Sequence, residues 1–68
     1  MIEKGNKVRF TMPKDVYDMT KDRNPNVKQV SEGVAESAEY ELNQVMLVDV
    51  TLDGKLTTVK AQDLEVIE

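Results

Sequence analysis

Thirteen carboxylates, nine Lys or Arg, five Thr and two Tyr are the main groups through which this chain could do chemistry, and it has neither His nor Cys. That removes thiolate nucleophiles, His-based triads, disulfides and the usual zinc sites. Paired carboxylates would remain for glycosidase-type acid/base work, but this needs two of them facing across a cleft with different pKa values. A 68-residue domain filled by its own side chains offers little concavity for that. Asp49, Asp53 and Gly54 depart from the Asp-x-Asp-x-Asp-Gly spacing of a calcium loop, and no Glu closes the segment. The expectation is a non-enzymatic protein with no cofactor and no metal.

Binding chemistry is better represented. Residues 1–34 carry seven Lys/Arg against five Asp/Glu, whereas residues 35–68 carry two against eight. Lys7, Arg9, Lys14, Lys21, Arg23 and Lys28 could line a basic edge that meets phosphate or an acidic partner. The plainer reading is a set of solvated faces. Asp15, Asp18 and Asp22 interrupt the basic run, and the net charge of -4 is unlike that of most nucleic-acid modules. Glu36, Glu39, Glu41 and Asp49, joined by Asp53, could form an acidic face that docks on a basic surface. The plainer reading is again a solubilising sheet face, which also discourages strand-to-strand aggregation. With no Trp and two Tyr, the chain lacks the aromatic groove that holds polyproline and the cage that holds methylated Lys. Tyr17 and Met19, flanked by Lys14, Lys21 and Arg23, have the aromatic-plus-Arg character of an interface hot spot. They could also fold back over a barrel end, and the two roles are compatible.

The elements that must position these groups read as mostly β, since seventeen of 68 residues are Val, Ile or Thr. Lys7 to Met12 alternates strictly, with Val8, Phe10 and Met12 on the core side. Pro13 ends that strand and opens a long first loop, residues 13–31, in which Val16 with Met19 or Thr20 supports one short helical turn but no full helix. Gly33 to Leu42 reads as one strand with a wet face, interrupted only by Glu36. Asn43-Gln44 gives a turn, and Val45 to Leu52 is the expected central strand. Asp53-Gly54 predicts a type I′ hairpin that sets Leu52, Val50, Val48 and Met46 opposite Lys55, Thr57, Val59 and Ala61. A tight helical turn at 61–64 and a short closing strand, Glu65 to Ile67, complete the chain.

This order resembles a five-stranded SH3-like barrel. The residues that carry the resemblance are Lys4-Gly5-Asn6-Lys7-Val8-Arg9-Phe10, Glu32-Gly33-Val34, Val48 to Gly54, and Asp63-Leu64-Glu65-Val66-Ile67. Within that class the opening strand is similar to KOW-type domains, which implies association with nucleic acid. The Val16-Tyr17 pair, the Glu32-Gly33 opening and the Leu-Glu-Val-Ile end are similar to the variable chain of ferredoxin–thioredoxin reductase, which implies a supporting subunit of a redox enzyme. The reading taken forward is a single SH3-like domain, 1–68, that binds a protein partner through Lys7, Arg9, Lys14, Tyr17, Met19, Lys21 and Arg23. No run reaches the roughly 18 apolar residues of a membrane helix, no signal peptide is evident at the start, and a cytoplasmic address is expected.

Overall fold

The computed structural model describes residues 1–67. Six strands form one antiparallel sheet: β1 (Lys7–Thr11), β2 (Val30–Ala35), β3 (Tyr40–Leu42), β4 (Val45–Leu52), β5 (Lys55–Lys60) and β6 (Leu64–Val66). A helix, α1 (Lys14–Arg23), lies between β1 and β2, and a 3-10 turn, Ala61–Asp63, joins β5 to β6. The order β3-β4-β2-β1-β6, with β5 on the other side of β4, curls into a half-barrel. β4 is its hub. One of its edges pairs with β3 at Val45–Leu47 and with β2 at Val50–Leu52, while β5 runs along the other from Leu47 to Leu52. The curl ends at β5 and β6, which no ladder joins among the described residues.

Both β-hairpin turns of β4 follow from residues that tolerate positive φ. Asn43 (φ 53°) and Gln44 (φ 66°) turn β3 into β4, and Asp53 (φ 49°) and Gly54 (φ 83°) turn β4 into β5. The second hairpin has the expected register, with Leu52 opposite Lys55, Val50 opposite Thr57 and Val48 opposite Val59. Met46 does not meet Ala61, because β5 ends at Lys60 opposite Leu47 and the chain leaves the sheet in the 3-10 turn. Close passage of β2 over β4 requires Gly33, since a Cβ there would overlap the Thr51 carbonyl oxygen.

Three expectations are corrected. The 13–31 segment is not an irregular loop with a single turn, because Lys14–Arg23 is a ten-residue α-helix. Its support is electrostatic: Asp15 sits in the first turn, Lys21 and Arg23 in the last, and Asp18 accepts from Lys14 at 2.8 Å and lies 3.3 Å from Lys21. Asn24, extended before Pro25, ends the helix while its N–H donates to the Thr20 carbonyl at 2.9 Å. Second, Gly33 to Leu42 is not one strand. Residues 36–39 bend away, held by the Glu36 N–H on the Asp49 carbonyl (2.7 Å) and the Asp49 N–H on Ser37 Oγ (3.1 Å). The sheet therefore has six strands rather than five.

The core is small. Ile2, Val8, Ala35, Val48 and Val50 are buried, with Leu52, Val59, Ala61 and Leu64 packed against them. Ile2 reaches this position because its N–H donates to Glu39 Oε1 (2.9 Å) and its carbonyl accepts from the Glu39 N–H (3.3 Å). Gly5 and Ala35 tie the same segment to β2, the Gly5 N–H donating to the Ala35 carbonyl at 2.8 Å.

Candidate partner-binding site

The excursion between β1 and β2 is clasped at its base, where the Met12 N–H donates to the Gln29 carbonyl (2.7 Å) and Gln29 Nε2 to the Met12 carbonyl (3.2 Å). Above that clasp, α1 buries no residue: Val16 is 45% and Met19 71% exposed. Beside that clasp the half-barrel is open between β1 and β5. A cleft of about 490 Å³ lies there, its apolar lining supplied by Phe10, Met12, Val27, Leu52 and Val59. Lys28 and Asp53 close one rim with a 3.4 Å ion pair. A second hollow of about 250 Å³ adjoins it across Phe10, Met12 and Val59, and is roofed by Pro13 and Val16. Val16 thus brings α1 to the second hollow, while the larger cleft takes none of its lining from the helix.

The seven expected site residues separate into two groups. Lys14, Tyr17 and Lys21 come together around Asp18 on α1, with the Lys21 ammonium 5.6 Å from the centre of the Tyr17 ring. The two lysines, Lys14 first, hold the Asp18 carboxyl below the usual Asp range. Met19 and Arg23, four residues apart, share another helix face and are exposed. Lys7 and Arg9 belong instead to the outer face of β1, opposite Val34 and Glu32. Arg9 is engaged there, its guanidinium bridging Glu32 (3.1 Å) and Glu65 (3.3 Å) across three strands.

Much of the suspected acidic face is also engaged in local bonds. Asp49 accepts from the Tyr40 hydroxyl (2.7 Å) and the Thr58 hydroxyl (2.8 Å), and Glu36 accepts from the Thr51 hydroxyl (2.7 Å). Hydrogen bonding from Tyr40, then from Thr58, lowers the Asp49 pKa, and the same carboxylate raises that of the Tyr40 phenol. Among the described residues, no group of three or more carboxylates is placed to hold a metal ion, and no helix is long and apolar enough to cross a membrane.

Sequence reasoning missed the cleft. Its walls come from β1, the 24–28 turn and the β4–β5 hairpin, so no local motif announces it. The one available signal was Phe10 and Met12 on the core side of a strand followed by a helix with too few apolar residues to cover them.

No family model, curated protein or solved structure matches this chain. Its function has to be argued from its own surface.

Proposed function

We propose that this chain is a non-enzymatic binding module that engages a protein partner through α1 and the neighbouring cleft. The observation that carries the reading is a helix with no buried residue, its Met19 exposed and its Val16 lining an apolar hollow that adjoins the larger cleft. Free apolar surface rimmed by charge is the common form of a protein contact. The ion pairs that occupy Arg9, Lys14 and Lys21 favour a protein partner over nucleic acid, because these cations already have carboxylate neighbours. An SH3-like reading of the half-barrel is supported by the 3-10 turn between β5 and a short last strand that returns to β1.

Affinity capture with the tagged chain, with and without nuclease and at low and moderate salt, tests the proposal. A protein retained under all conditions is the expected result. Binding that disappears with nuclease, or falls steeply with salt as released counterions demand, would assign the module to nucleic acid.

A further inference from the structure

The β5 strand ends the sheet with its outer edge open. It pairs with β4 alone, and no backbone hydrogen bond links Lys55–Lys60 to any other element among the described residues. In an antiparallel ladder, alternate residues of such a strand point their N–H and C=O groups away from the partner, which makes the edge a template for another strand. The register turns Thr57 and Val59 toward the cleft and Leu56 to the outer face, where it is 71% exposed. A strand added here would place alternate side chains against Phe10 and Met12 across the gap.

Lys55 and Lys60 stand at the two ends of this edge, and neither has a carboxylate within ion-pair distance among the described residues. Two copies of β5 paired about a two-fold axis between Thr57 and Thr58 would set Lys55 against Lys60 twice. Like charges directly opposite each other disfavour that arrangement. The same spacing suits a strand of opposite charge pattern. We propose that the β5 edge takes up an extended partner segment by strand addition, one with a carboxylate at each end opposite Lys55 and Lys60 and apolar side chains facing Thr57 and Val59. This rests on the reading of the chain as a protein-binding module and adds the chemistry of its partner.

The test is a titration of the isotope-labelled full chain with a synthetic peptide whose central segment reads Glu-Val-Thr-Val-Leu-Glu, its first Glu meeting Lys60 in the antiparallel sense. Saturable binding with slowed amide exchange along β5 is expected. The exposed pair Lys55→Glu and Lys60→Glu should keep the fold and weaken this peptide about tenfold, two reversed cross-strand charge pairs being sufficient for that. A peptide with Lys in place of both Glu should recover the loss. Absence of saturable binding, unprotected β5 amides with shifts confined to α1, or no recovery by the charge-swapped peptide would each overturn strand addition. The α1 reading is judged separately, because variants at Met19 and Arg23 leave the β5 edge untouched.

Discussion

Gly33 and Gly54 show how differently two glycines of one strand pair are constrained. At Gly54 the demand is a positive φ with open space around it, so Gly54→Val strains the backbone without a clash and should cost about 1–2 kcal/mol. At Gly33 the backbone is ordinary, but the Thr51 carbonyl occupies the place of a side chain. Gly33→Ala must therefore push β2 off β4 and should cost about 3 kcal/mol or more. Thermal or denaturant unfolding of both variants checks the ranking, and equal losses would contradict it. Asp49 makes a pH prediction. Its carboxyl is more acidic in the folded than in the unfolded chain, so its contribution is present above the ordinary Asp range and is lost as pH falls through the lowered folded value. Tyr40, with its phenol raised, contributes below the ordinary Tyr range and ceases to as pH climbs through its folded value. Unfolding curves of wild type and Asp49→Asn against pH should differ in both limbs, the variant being flatter; parallel profiles would mean that the Tyr40–Asp49–Thr58 bonds do not form in solution.

Among the elements, β4 and α1 stand at opposite ends of a stability scale. β4 holds the buried Val48 and Val50 and pairs with three strands, whereas α1 has no buried residue and leans on exposed ion pairs, which contribute little each. Amide exchange should accordingly be fast throughout Lys14–Arg23 and slowest in β4. Slow exchange in α1 would mean that the helix is docked more firmly than its exposure implies. The same contrast explains what was legible in advance. The β4–β5 hairpin could be read because Asp53-Gly54 and the alternation on both sides agree on one register. α1 could not, since its helical signal lies in the spacing of Asp18 between Lys14 and Lys21 rather than in an apolar stripe. The break between β2 and β3 was hidden for a related reason: Ser37 and Glu36 bond to β4 across the bend, and only Glu36 departs from the alternation.

At the scale of the molecule, five buried residues among those described make a small core, and the chain makes up for it with segments that lean on the open half-barrel. Ile2 fills one part, anchored through Glu39, and nothing in Met1-Ile2-Glu3-Lys4 marks it as core in sequence. α1 only borders the other part, through Val16, which leaves Met19 and Arg23 available and the cleft open. Individually exposed, these two side chains contribute to contact rather than to folding, so Met19→Ala and Arg23→Ala should each change stability by no more than about 0.5 kcal/mol, and the half-buried Tyr17 should leave the fold intact when cut to Ala. The first strand is the part of the expected site that the fold uses otherwise, since Arg9 ties β1 to β2 and β6. The most direct measurement is partner capture by the wild type beside the combined Tyr17, Met19 and Arg23 alanine variant, with folding of both confirmed by their unfolding curves. A protein partner held by the wild type and released by the folded variant is the predicted result; equal retention by both would show that α1 is not the binding surface.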